Sequence, residues 1–312
     1  MAGSITEHHQ RYFTNANLIK AYQDILALFD KWAIEATFAF VMAFTLSKEE
    51  FRARADLFRD VHVKTENWLR HFRAEAAEGV FEGWFVPEAF ERVRAAGRHE
   101  IACHGFSHLP LAEDLTGEED ARHELAAALE VARAKGVTLK TFVYPRNQIG
   151  YVHLLREHGF SGYRERLPRP PGPLGKITSF LTEFNVFTPA QSATAMAGNG
   201  ITAIPPGYFL NWRFGLRRVV PVPVTVARWR HIIAHAVHHG GVAHLWFHPH
   251  NIIDGPETLA TLDRILALVA ARQERGELEV LTQEAYCARL NGSETLGLDK
   301  QVYDGIGPSP VA

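Results

Sequence analysis

Cysteine is almost absent: Cys103 and Cys287 are the only two in the chain. That excludes a disulfide framework and fits a reducing compartment. An excess of either charge is lacking as well. Lys and Arg number 33 against 35 Asp and Glu, for a formal net charge of −2, so nothing points to nucleic acid or to an acidic membrane surface as a partner. The arginine-rich stretches are mixed with acids at helical spacing and read as solvated faces. No apolar run is long enough to span a bilayer. Met1 to Asn17 is polar and lacks the apolar core of a secretory signal. From these absences we expect a soluble, cytoplasmic protein, with a homo-oligomer left open.

What the chain does have is apolar residues, 46% of 312, enough for a well-buried core. Strand-like runs alternate with helical ones. Ala36 to Val41 follows the amphipathic stretch Leu18 to Trp32, and Ile101 to Cys103 precedes the charge-patterned Glu118 to Lys135. Thr141 to Tyr144 precedes a short helix around Tyr151 to His158. Val242 to Phe247 precedes the helix Glu257 to Arg275, with a further strand expected at Leu278 to Leu281. Strands alternating with helices of this length imply parallel βα units in an open sheet or a barrel, where reactive groups gather at the carboxyl ends of the strands.

Two regions break the alternation. Ser47 to Arg98 reads as a helical insertion containing Trp68, Trp84 and Phe85, and Leu167 to Gly175 is a Pro/Gly loop followed by poorly patterned sequence to about Arg218. Either can overhang the rim or pack on the exterior. We expect a single domain over residues 1–300 with the insertion at 47–98, and a frayed tail at 301–312.

Three polar clusters fall at strand ends. The first is Glu100-Ile-Ala-Cys-His104-Gly-Phe-Ser-His108, two imidazoles spaced to converge on one divalent cation. Alone it is weak, since the chain has 17 histidines. The second is Tyr144-Pro-Arg146-Asn147-Gln148, and the third is Leu245-Trp246-Phe-His248-Pro-His250-Asn251. Three such clusters at three strand ends describe one rim. Cys103 points away from His104 and reads as packing under the helices. His235, His238, His239 and His244 read as a solvated helix face and turn, although their spacing also suits a second metal. Trp84, Phe85 and Trp212 can stack on a sugar ring or be buried.

These residues resemble the polysaccharide deacetylases (carbohydrate esterase family 4, the NodB-homology domain), nearest to the branch with a Phe-Pro-Arg-Asn-Gln signature. Asn17-Leu18 through Ala36-Thr37-Phe38, Gly159-Phe160 with Tyr163-Arg164, and Gly276 to Thr282 also look like that branch. The resemblance implies a distorted (β/α)7 barrel that removes N-acetyl groups from sugars with a divalent metal: zinc first, with cobalt, nickel or manganese as alternatives. It assigns His104 and His108 to the metal, His248 as the acid that protonates the leaving amine, and Arg146 to orient a catalytic carboxylate. Tyr144, Asn147, Trp246, His250 and Asn251 are the substrate-binding candidates on the same rim, the last two also shaping its loop. A metal polarises the amide carbonyl and acidifies a bound water, and an imidazole can deliver the proton. The expected substrate is a small N-acylated amino sugar or related glycoside rather than a polymer.

One part of the pattern is not met. The family's first motif carries the catalytic aspartate on a strand that should lie before Asn17, where the chain has no aspartate; the first is Asp24, in a helical stretch. Three explanations compete. The chain starts late; or Glu7, His8 or His9 replaces the carboxylate on a short strand Gly3 to Thr6, with Glu7 as base; or the barrel binds a sugar-like ligand or does metal-free acid–base chemistry. In the last case no metal is needed, and Arg146 is free to bind a substrate carboxylate or phosphate.

Overall fold

The computed structural model describes residues 12–168, 177–178, 180–193 and 200–295. The expected strand Gly3 to Thr6, with Glu7, His8 and His9, lies outside the described residues, as does the tail from 301 onward. The chain enters through α1 (Asn15–Lys31), capped by the Thr14 side chain accepting from the Asn17 N–H at 3.1 Å. Leu18, Tyr22, Ile25 and Phe29 recur on its buried face at helical spacing. β1 (Thr37–Phe40) follows. Next come α2 (Lys48–Ala53), α3 (Arg70–Ala77) and α4 (Pro87–Ala96), then β2 (Glu100–Cys103) and α5 (Glu118–Ala134). β3 (Thr141–Val143), α6 (Val152–Glu157), β4 (Gly162–Arg164), β5 (Thr202–Ile204) and β6 (Tyr208–Phe209) complete the middle. α7 (Val222–His239), β7 (Leu245–Trp246), α8 (Pro256–Gln273) and α9 (Gln283–Thr295) close the chain.

β1 to β5 form one parallel sheet in sequential order. A sheet that winds in one direction, each strand beside the last, is the arrangement of a barrel wall; a doubly wound sheet reverses its order midway. β6 and β7 continue it as a separate parallel pair, Tyr208 opposite Leu245. Pro205-Pro206-Gly207 separates β5 from β6, and two prolines in succession remove two ladder donors. The mixed α/β architecture with its central parallel sheet is consistent with a distorted (β/α) barrel. No helix among the described residues is long and apolar enough to cross a membrane.

The structure corrects three expectations. Leu278 to Leu281 has no strand pairing. It leads into α9, whose first N–H groups reach the sheet's lower end: Gln283 N–H donates to Thr37 Oγ1 at 2.8 Å and Glu284 N–H to the buried Glu100 carboxylate at 2.9 Å. A carboxylate at a helix N-terminus is favourably placed. The region after Leu167 is not unpatterned, for it holds β5 and β6. Finally, Ser47 to Arg98 is not purely helical: His62–Val63 and Glu66–Asn67 make a short hairpin. Its aromatic residues Phe58, Phe72 and Phe85 are buried with Phe106 from the loop after β2. The insertion therefore packs against the histidine-bearing loop.

Candidate active site

The loop after β2 carries His104 and His108 and is tied down on three sides. Its backbone continues the sheet: His104 N–H donates to Phe40 O at 2.8 Å, and the Gly105 and Phe106 carbonyls accept from Met42 and Ala43 at 2.9 Å each. From below, the buried Glu124 carboxylate of α5 accepts from Ser107 N–H at 2.7 Å, Ser107 Oγ at 2.8 Å and Leu109 N–H at 3.1 Å. A Cβ at Gly105, where φ is +79°, would strike that carboxylate, so this turn requires glycine. From the side, Trp68 Nε1–H donates to Ser107 O at 3.1 Å. The result holds His108 in the left-handed region, φ +64°, an uncommon place for a non-glycine residue.

The two imidazoles meet edge to face, ring centroids 4.7 Å apart. His104 Nδ1 lies 2.6 Å from Val143 O. A carbonyl only accepts, so Nδ1 carries the proton and Nε2 keeps its lone pair. His108 Nδ1 is buried without a hydrogen-bond partner. These donors fit one half of a divalent metal site. Among the described residues no group of three His, Cys, Asp or Glu could hold an ion, so any third ligand lies elsewhere.

The second cluster sits in a tight turn after β3. Arg146 and Asn147 both have positive φ, 55° and 54°. Asn147 Oδ1 accepts from Arg164 Nη2 at 2.6 Å. Arg146 is exposed, its guanidinium 4.9 Å from the Trp68 ring centroid. The left-handed turn swings it outward over the insertion's tryptophan. Tyr144 is corrected as a substrate contact. It is 1% exposed and its hydroxyl donates to Gly150 O at 2.8 Å, which makes it part of the core.

β7 supplies the third cluster. Its Trp246 ring lies 4.4 Å from the guanidinium of Arg164, at the end of β4. His244, expected on a helix or turn outside the site, faces the barrel instead, with Nδ1 2.6 Å from Pro205 O. His248 N–H donates to Asn251 Oδ1 at 2.9 Å, and the His248 and His250 rings stack at 4.9 Å. Asn251 is 1% exposed and thereby fixes the His248 backbone. A cavity of about 730 Å³ is lined by His104, Arg164, His244, Trp246 and His248. A second, of about 620 Å³, meets it at Trp246 and His248 and is bounded by Leu167, Trp212, His250 and Asn251. Trp212 therefore lines the rim, whereas Phe85 is in the core and Trp84 packs on Phe72.

Burial is the largest influence on all four histidines, and the charge of Arg164 adds to it at His104, His244 and His248. Burial holds His104 down to about 3, with His248 and Arg164 adding to the effect. His244 is pulled to about 4 by burial and Arg164. His108 lies well below the ordinary imidazole value for the same first reason. His248 keeps accessible surface at the cavity mouth, yet surrounding protein and Arg164 depress it too. His104 and His108 are thereby neutral near pH 7, as metal ligands must be. Arg164 is the residue that sequence reasoning missed. It was legible only as part of Tyr163-Arg164, with no spacing rule to single it out. Cys103 is fully buried as expected. The His235 and His239 rings lie 4.3 Å apart on α7, tilted to one another, with His239 exposed.

No curated protein matches this sequence. Residues 17–161 match the family model described as Polysaccharide deacetylase. The matched segment runs from α1 to the start of β4 and contains His104, His108 and Arg146, stopping short of Arg164, Trp246 and His248. Over that segment the chain is similar to the polysaccharide deacetylases.

Proposed function

We propose that this protein hydrolyses a carbon–nitrogen amide bond, removing an acyl group, acetyl in the simplest case, from an N-acylated amino sugar or related small glycoside. We take residues 1–300 as one NodB-like unit for this purpose. The observation that carries the reading is the His104–His108 pair: two imidazoles 4.7 Å apart, with His104 locked by Val143 O, its Nε2 free, and lining a cavity shared with His248. His104 and His108 would hold a divalent metal, with zinc suited to imidazole donors. Such an ion, when bound, polarises a carbonyl and acidifies water.

The chain's own residues then divide the work. His248, held by Asn251 and stacked on His250, is placed to give a proton to the departing amine nitrogen as its bond to the acyl carbon breaks. Trp246 and Trp212 offer flat apolar faces to a sugar ring at the junction of the two cavities. Glu7 remains our candidate base. Asn147 positions Arg164 and so acts on substrate indirectly. Arg146 serves on the outer rim, stacked on Trp68.

The test is release of acetate from N-acetylated amino sugars by the metal-loaded protein, compared with His248→Ala. We expect loss of turnover with the fold retained; near-wild-type turnover removes His248 from the mechanism. A second reading has its own support. The larger cavity is lined by Arg164, His104, His244 and His248 and also by Glu35, Glu277 and Glu279, but none of these glutamates acts on the pKa of the arginine or of the three histidines. A barrel without a base there would bind a sugar-like ligand without hydrolysing it. Stoichiometric metal with hydrolysis excludes that reading.

A further inference from the structure

Arg164 is 8% exposed, and its side chain lines the larger cavity. Two contacts fix it. Trp246 lies under the guanidinium plane, and Asn147 Oδ1 takes one hydrogen from Nη2. Its Nε is buried and has no hydrogen-bond partner. No carboxylate among the described residues forms an ion pair with it, and burial is the one influence acting on its pKa, drawing it to about 10. The guanidinium therefore stays charged at neutral pH.

A buried charge without a counter-ion is strongly unfavourable, and arginine cannot escape by losing its proton. The other buried arginine shows the usual solution: Arg228, 3% exposed, pairs with Glu183 at 2.8 Å. Arg164 has the geometry for a counter-ion and lacks one. A planar guanidinium held flat by an aromatic ring, with a free N–H edge, matches a carboxylate's two oxygens better than a point charge would.

We propose that Arg164 is a carboxylate-binding residue inside the barrel, taking a small carboxylate side-on through its free Nε–H edge. The inference rests on the cavity and not on the hydrolase reading, and its test measures binding rather than turnover. The carboxylate has two sources: a free small molecule, such as an acid product or an acidic sugar, or the chain's own Glu7.

The probe is carbon-13-labelled acetate titrated into the full-length protein at constant ionic strength with chloride, followed by NMR line broadening. The proteins are wild type, Glu7→Gln, Arg164→Met, the Glu7→Gln/Arg164→Met double variant and Arg164→Lys. Saturable binding to wild type that Arg164→Met abolishes supports the proposal with a free carboxylate as ligand. Binding that emerges only in Glu7→Gln, and is lost in the double variant, supports it with Glu7 as the occupant. No saturable binding in wild type or Glu7→Gln overturns it, as does binding that Arg164→Met leaves unchanged. Should Arg164→Met fail to fold, Arg164→Lys decides: at least about ten-fold weaker binding is expected from loss of the planar fork, and undiminished affinity overturns the proposal. Deacetylase activity can fail while acetate binding succeeds, so the two readings fall separately.

Discussion

Glu124 braces the loop that carries both candidate ligands, and its removal tests whether that loop is built as described. In Glu124→Ala three hydrogen bonds disappear at once, from Ser107 N–H, Ser107 Oγ and Leu109 N–H. The serine hydroxyl can turn to another partner. The two amides cannot, and each buried N–H left unpaired is worth about 1–3 kcal/mol. Against this stands relief from burying the carboxylate, which burial has already pushed above its ordinary pKa. The balance is a loss of about 3 kcal/mol, or about 6–12 °C in melting temperature at about 2–4 °C per kcal/mol. Glu124→Gln keeps an oxygen for both amides and forfeits only charge assistance, so its loss should be about 1 kcal/mol. The assay is thermal unfolding of both variants with zinc titration of each. His108 owes its left-handed backbone to this brace, so zinc affinity should fall in Glu124→Ala more than in Glu124→Gln. A Glu124→Ala protein that melts within a degree of wild type and binds zinc equally refutes the brace.

Further tests address separate links. Purified protein should carry near-stoichiometric zinc, cobalt or nickel by elemental mass spectrometry, and His104→Ala/His108→Ala should carry none; no metal in wild type after reconstitution sinks the ligand assignment. Arg164→Met in ligand-free protein should melt at or above the wild-type temperature, because an unpaired buried charge is replaced by an apolar chain of similar length; a fall of more than a few degrees argues that Arg164 is already paired. Stability should also fall as pH drops below 6.5. The folded-state values of His104 and His244, about 3 and about 4, lie below the ordinary 6.5, so stability present above 6.5 is lost as pH falls toward those values. Glu100 and Glu124, raised by burial, act in the opposite sense and blunt the slope. Urea midpoints between pH 7 and 4.5 should therefore decline less steeply in His104→Gln than in wild type, and equal slopes refute the assignment.

The architecture was legible because parallel strands buried on both faces read as short apolar runs, and α1, α5, α6 and α8 fall within a few residues of their expected bounds. β5 and β6 were hidden because two prolines and a glycine split one strand course into two short pieces. Leu278 to Leu281 has the composition of a strand, but pairing is decided by neighbours that composition does not reveal. At the site, the spacing of His104 and His108 was readable, whereas their orientation depends on Val143 and Glu124, which lie 39 and 17 residues from the groups they hold. The proline before Arg146 marks a turn at a strand end without saying which way the turn faces. Arg164 ends its strand with no punctuation at all, so only the structure shows that it occupies the cavity.

Sequence and structure report the same deficit from opposite directions. The sequence has no aspartate before Asp24, where the family's first motif would place one, and the cavity holds a buried arginine that pairs with no carboxylate among the described residues. An aspartate or glutamate at that point would satisfy Arg164 and remove one influence that lowers His248, the larger one being burial. The origin of that carboxylate separates the readings. If Glu7 supplies it, the barrel contains a base next to its acid and can hydrolyse an amide. If a ligand supplies it, Arg164 selects acidic molecules and the base must come from another source. Glu7→Gln distinguishes the two, since it ends turnover and opens the acetate site in the first case and changes neither in the second.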